Sequence, residues 1–132
     1  MSAESAGRSR IRLLIIDDEV DVLDVLGTTA PAQGFVPATA STVDQAVQLI
    51  ADGLEVDIVA CDMTMPDGGA PTWMARAAEV CPSLLSRTIL ITGWSANGES
   101  PLPGVPIEHC LFKPFTMSEV RRVADAILAR GQ

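Results

Sequence analysis

Ile11-Arg12-Leu13-Leu14-Ile15-Ile16-Asp17-Asp18-Glu19 is the stretch on which the fold turns. A nearly continuous apolar run of this length suits a strand buried on both faces, and it stops abruptly at an acidic triplet. Val56-Asp57-Ile58-Val59-Ala60-Cys61 and Thr88-Ile89-Leu90-Ile91 read the same way. Phe35 to Ala40 and Ile107 to Phe112 are weaker strand candidates. Between these runs the apolar spacing becomes helical. Val22, Leu23, Val25, Leu26 and Thr29 share one face, and Val43, Ala46, Val47 and Ile50 share another. Thr42-Val43-Asp44-Gln45 has the form of a capping box. Thr72 to Val80 is a third helical segment, closed before Pro82. The last is the clearest. Thr116-Met117-Ser118-Glu119 caps a stripe of Val120, Val123, Ala124, Ile127 and Leu128, with Gly131 just past the end.

Alternating strands and helices with short connections predict a parallel sheet covered by helices on both faces. The expected fold class is therefore α/β: a flavodoxin-like three-layer sandwich with five parallel strands in the order 2-1-3-4-5 and about five helices. The fourth helical slot, Gly93 to Pro106, holds three prolines and three glycines and has almost no apolar periodicity. Proline in a helix interior costs about 3 kcal/mol and glycine about 1 kcal/mol. A fourth helix that is missing, short or irregular is expected there. Residues 1–9 read as a flexible tail and 10–132 as one domain, a size that suits a single core.

Composition narrows the function. The net charge is −8, which argues against direct nucleic-acid binding through a basic face. Hydrophobic residues make up 48% but aromatics only 4%, so the core must be aliphatic. The three cysteines, Cys61, Cys81 and Cys110, fit neither a disulfide framework nor a metal-binding pair, and read as small buried hydrophobes. A reducing, cytoplasmic setting is expected. The N-terminal stretch has no apolar segment of the signal-peptide kind, and no run is long enough to span a bilayer.

The chemistry follows the strands. Asp17-Asp18-Glu19 ends the first, Asp62 the third, Thr92-Gly93 the fourth and Lys113-Pro114-Phe115 the fifth. All would meet at one sheet edge. Two carboxylates about 4 Å apart repel by roughly 4 kcal/mol at an effective dielectric near 20, so the cluster calls for a cation. A hard dication such as Mg²⁺ suits oxygen ligands and keeps sites for water and phosphate. Carboxylate, dication, hydroxyl and ammonium together match the needs of a transferring phosphoryl group. Each residue also has a bland reading. Asp17 and Asp18 could cap a helix, Asp62 could serve a turn, Thr92 could be an ordinary strand end, and Lys113 a solvated charge. Their arrival at one edge favours the functional reading. His109, in a predicted strand, reads as structural, and Met63 and Met65 as loop packing.

Ile15-Ile16-Asp17-Asp18-Glu19, Asp62-Met63-Thr64-Met65-Pro66, Ile91-Thr92-Gly93 and Lys113-Pro114-Phe115, in this order and spacing, resemble the receiver domain of two-component response regulators of the chemotaxis-regulator type. The resemblance spans Arg10 to about Arg130. It implies that Asp62 is the phosphoacceptor. Mg²⁺ would be held by Asp17, Asp18, Asp62 and the backbone carbonyl of Thr64. Thr92 would bind a phosphoryl oxygen, Lys113 would pair with the phosphoryl group or with Asp62, and Lys113-Pro114 would be a cis peptide. It also implies a histidine kinase or phosphotransfer protein as donor and a downstream protein as target, with no nucleic acid or membrane partner. The chain would then be a signalling switch in a phosphorelay and not a turnover enzyme.

Three features depart from the pattern. Cys110 stands where the family usually has an aromatic residue, with Phe112 on the same strand face two residues on. The fourth helix is broken. Thr64 and Trp94 occupy the positions that usually place a hydrolytic water, which predicts a long-lived phosphoryl group. Two other readings compete: a degenerate receiver that docks a partner without phosphorylation, and a Mg²⁺-dependent phosphohydrolase. The hydrolases usually carry a second Asp where this chain has Thr64.

Overall fold

Each strand of the sheet sends alternate side chains into two different cores, and that is why its apolar runs are continuous. In the computed structural model, which describes residues 10–93 and 98–130, five strands form one sheet in the order β2-β1-β3-β4-β5, with every pairing parallel. They are β1 (Ile11–Ile16), β2 (Phe35–Ala40), β3 (Ile58–Asp62), β4 (Thr88–Thr92) and β5 (Cys110–Phe112). The α-helices among the described residues are α1 (Val20–Thr29), α2 (Val43–Ala51), α3 (Gly69–Val80) and α4 (Met117–Arg130). Leu13, Ile15, Ala60, Ile89, Ile91 and Leu111 pack with Leu23 of α1 and Val120, Val123, Ala124 and Ile127 of α4. On the other face Leu14, Ile16, Val59, Cys61, Leu90 and Cys110 pack with Val43, Ala46 and Val47 of α2 and Ala70, Trp73 and Ala77 of α3. The three-layer sandwich and its strand order are as expected. No helix among the described residues is long and apolar enough to cross a membrane.

Local signals placed the helix ends well. The Glu119 carboxylate accepts from the Thr116 N–H at 2.8 Å, and Thr116 Oγ1 accepts from the Glu119 N–H at 3.2 Å, a complete capping box. At α2, Thr42 Oγ1 accepts from the Gln45 N–H at 3.0 Å, but Gln45 Oε1 takes the Ser41 N–H at 2.6 Å in place of the Thr42 N–H.

Other boundaries moved for tertiary reasons. β3 begins at Ile58, because Asp57 turns outward to Arg12. α3 begins at Gly69, three residues early, with Pro71 tolerated in its first turn. The expected fifth strand loses its first half. Ile107–His109 is a 3₁₀ turn closed by the His109 N–H onto the Pro106 carbonyl, so His109 is not a strand residue. On α1 the expected stripe narrows: Leu23 is buried, Leu26 is partly buried, and Val25 is 60% exposed. The N-terminal tail, Trp94 and Gly131 lie outside the described residues.

Residues 98–106 contain no helix. Gly98 and Gly104 adopt left-handed φ values of 70° and 90°, which break a helix. Val105 is buried, and Leu102 partly so, against the core that holds Leu90 and Cys110. Two apolar side chains of an irregular loop thus help to cover the sheet face in the fourth helical slot.

Arg12 and Asp57 tie β1 to the start of β3. Arg12 Nε and NH2 donate to the two Asp57 oxygens, each at 3.0 Å, and Arg12 NH1 also pairs with Glu55. The Arg12 side chain, through these hydrogen bonds, holds the Asp57 carboxyl below its ordinary value of 3.8. The pair therefore adds stability that is present above about pH 4 and lost as pH falls through the depressed folded value. Both groups are partly exposed, so the contribution is at most about 1 kcal/mol. Arg12→Ala is expected to lower the thermal midpoint at neutral pH by a few degrees, with the gap to wild type narrowing as the pH falls below about 4. A gap that stays the same size throughout an acid titration, measured by calorimetry, would refute this.

Candidate functional site

Register brings the acids together. Ile16 pairs with Cys61, so the next residues of β1 and β3, Asp17 and Asp62, emerge side by side at the carboxyl end of the sheet. Ligand oxygens of Asp17, Asp18 and Asp62 lie within 4.8 Å of one another. Asp17 and Asp62 are buried, at 4% and 5% exposure, while Asp18 faces solvent. Asp17 Oδ1 accepts from the Glu19 N–H at 2.9 Å, which turns the chain into α1. Burial pushes the Asp17 carboxyl above its ordinary value, with further upward pressure from Asp62 and Asp18. Such a group is held in its ionised form most readily by a cation.

Lys113 arrives from the end of β5. Its backbone N–H donates to the Thr92 carbonyl at 2.8 Å, and its Nζ stands 3.2 Å from Asp62 Oδ2. Burial alone would lower the Lys113 ammonium, but Asp62, Asp17 and Glu19 outweigh it and the shift is upward, so the charge persists. The Lys113-Pro114 peptide is cis, as the resemblance implied. The other Asp62 oxygen, Oδ1, accepts from the Thr64 N–H at 3.1 Å. Thr92 is buried at the end of β4. Asp18, Asp62, Thr64, Thr92 and Lys113 all line one open cleft of about 660 Å³. Every site residue taken from the sequence is therefore at this edge.

Further residues belong to the cleft. Glu19, Met63 and Pro101 also line the cleft. Glu19 was visible as part of the acidic triplet. Pro101 could not be placed from a segment with no periodicity. Phe112 shares its strand face with Cys110, yet it is 36% exposed while Cys110 is buried, because the strand ends there. Cys110 Sγ lies 3.6 Å from Ser100 Oγ and from the Pro106 carbonyl, a packing role. Burial raises the Cys61 thiol far above the reactive range, which agrees with the bland reading of that cysteine.

The architecture matches known structures closely. This is the receiver fold. A response regulator receiver protein from Sinorhizobium medicae WSM419 is 23% identical over 93% of this chain and 98% of its own, with a TM-score of 0.71. A receiver domain protein from Clostridium thermocellum is 22% identical over 92% of this chain and 96% of its own, with a TM-score of 0.77. The signal receiver domain of an HD domain-containing protein from Pseudomonas fluorescens Pf-5 is 25% identical, over 92% and 96%, with a TM-score of 0.70. No family model and no curated protein matches the chain. The receiver likeness is thus one of backbone architecture.

The donor set of this receiver edge fits Mg²⁺: three carboxylates at hard-oxygen spacing, two of them buried. Without the ion the buried Asp17 charge is a burden on the fold. Asp17→Asn keeps an oxygen for the Glu19 N–H and removes that charge. It is expected to raise the metal-free stability by on the order of 1 kcal/mol and to abolish any further rise on adding Mg²⁺. Calorimetry with and without the ion checks both halves. A metal-free midpoint several degrees below wild type would contradict the repulsion argument.

Proposed function

We propose that the chain is the phosphoacceptor of a two-component phosphorelay, taking a phosphoryl group on Asp62 from the phosphohistidine of a kinase or phosphotransfer protein. The observation that carries this is the pairing of Asp62 Oδ2 with Lys113 Nζ at 3.2 Å beside two further carboxylates. An Asp62 oxygen attacks phosphorus. The P–O bond forms as the P–N bond breaks, and the electron pair leaves on the imidazole nitrogen of the donor. Lys113 meets the charge on one equatorial oxygen and the Thr92 hydroxyl donates to another. Asp17, Asp18, Asp62 and the Thr64 carbonyl would hold Mg²⁺, which neutralises phosphoryl charge when bound.

The product is a switch state and not a released compound. Proteins with a matching basic surface are the natural targets of a chain of net charge −8. Thr64 is exposed at the cleft mouth and offers a hydroxyl but neither an acid nor an amide to hold a hydrolytic water. A persistent aspartyl phosphate follows.

Incubation with Mg²⁺ and acetyl phosphate, followed by intact mass measurement, tests the reading. Wild type is expected to gain one phosphoryl group, and Asp62→Asn none. Donor turnover with no adduct would point to a hydrolase. No reaction at all would point to a docking module.

A further inference from the structure

We propose that Asp67 is a positioning residue for the Asp62 carboxylate, an assignment that rests on the phosphoacceptor reading above. From the sequence Asp67 belongs to a local turn. In the fold its carboxylate spans two helices. Oδ2 accepts from the Val43 N–H at 2.7 Å, 24 positions away in sequence, and Oδ1 accepts from the Gly69 N–H at 3.3 Å. Val43 opens α2 and Gly69 opens α3. One side chain thus serves unpaired donors at the first turns of both helices, where a negative charge is favoured.

The loop between carries the site. Gly69 has φ of 61°, and a Cβ there would stand 2.5 Å from the Met63 carbonyl oxygen and 2.9 Å from that of Asp62. The start of α3 therefore presses directly on the backbone that bears the nucleophile. One residue further, the Thr64 N–H holds Asp62 Oδ1 at 3.1 Å, while Lys113 holds Oδ2 at 3.2 Å. The two oxygens of Asp62 are distinguished by these contacts, and one of the two depends on where the loop lies. Asp67 anchors that loop at its far end to α2. Loss of the anchor lets Thr64 drift, and with it the orientation of the attacking carboxylate and the carbonyl proposed to face Mg²⁺.

The test compares Asp62 phosphorylation by acetyl phosphate with Mg²⁺ across donor concentrations, with a thermal midpoint for each protein. Asp67→Ala is expected to lower the limiting rate about tenfold or more while moving the half-saturating donor concentration less than about twofold. Asp67→Asn keeps one oxygen for the shorter bond from the Val43 N–H and gives up the longer one from Gly69, and should return to within about threefold of wild type. Asp67→Ser, too short to bridge both helices, should fall between and provides the reading if the alanine variant does not fold. Arg12→Ala removes the ion pair with Asp57 at the start of β1, at the opposite end of the sheet from the site, and should leave the limiting rate unchanged. The role is overturned if Asp67→Ala and Asp67→Ser react like wild type, or if Arg12→Ala slows as much as they do. A wild type that takes no phosphate overturns the phosphoacceptor reading itself, and this role with it.

Discussion

Lys113→Ala is expected to slow phosphorylation of Asp62 by about 10²–10³-fold while tightening Mg²⁺ binding several-fold. The two effects have opposite signs for one reason. Lys113 Nζ is 3.2 Å from Asp62 Oδ2 and raises the local potential of a cluster that also contains Asp17 and Asp18. Removing it leaves three carboxylates with less compensation, so a dication is bound more favourably. The transferring phosphoryl group, by contrast, loses a donor aimed at charge that grows in the transition state. Lys113→Arg keeps the charge but replaces a compact ammonium by a planar fork, and should recover only part of the rate. The rate is read as adduct mass against time, and metal affinity as the rise in thermal midpoint with Mg²⁺ concentration. A rate within about threefold of wild type, or weaker Mg²⁺ binding in Lys113→Ala, would remove the lysine from its assigned place.

Trp73→Ala is expected to cost about 3–5 kcal/mol, a large part of the roughly 5–15 kcal/mol that holds a domain of this size together. Among the described residues Trp73 is the largest fully buried side chain, at 0% exposure, between α3 and the sheet. Its indole N–H donates to Thr88 Oγ1 at 3.1 Å, and that hydroxyl in turn donates to the Leu84 carbonyl at 2.8 Å. The chain of bonds joins α3, the turn before β4 and the first residue of β4. Trp73→Phe keeps most of the apolar volume and loses one hydrogen bond, so about 1–2 kcal/mol is expected. Thr88→Val leaves the indole N–H buried without an acceptor and should cost about 1–3 kcal/mol. Urea unfolding of the three variants orders them. Trp73→Ala falling within about 1 kcal/mol of wild type would show that the site collapses around the gap.

The main lines of the site were legible because its parts are punctuation. Asp17, Asp62, Thr92 and Lys113 each follow an apolar run, and parallel strands place all such positions at one edge. The Asp67 anchor was not legible, because its principal partner, Val43, is 24 residues distant and joined to it through space. The same holds for Pro101, which reaches the cleft from a loop with no periodic signal. In the sequence Trp73 is one residue of a helical segment. Nothing in its neighbours announces that its indole will meet Thr88.

What the sequence determined by itself is whatever neighbours in the chain decide. Strand runs, the N-caps at Thr42 and Thr116, and the helix-free run over 98–106 are set by local hydrogen bonding and backbone preference. The alternation of these elements was enough for the layer order. Tertiary structure alone decided where elements yield to one another. β3 starts late because Asp57 is claimed by Arg12, and Val25 stays outside while Leu23 faces the sheet. The capping glutamine reaches Ser41, and two apolar residues of a loop help to fill the fourth helical slot. Each of these outcomes depends on the free energy of contacts between residues far apart in sequence, for which a local pattern carries no term.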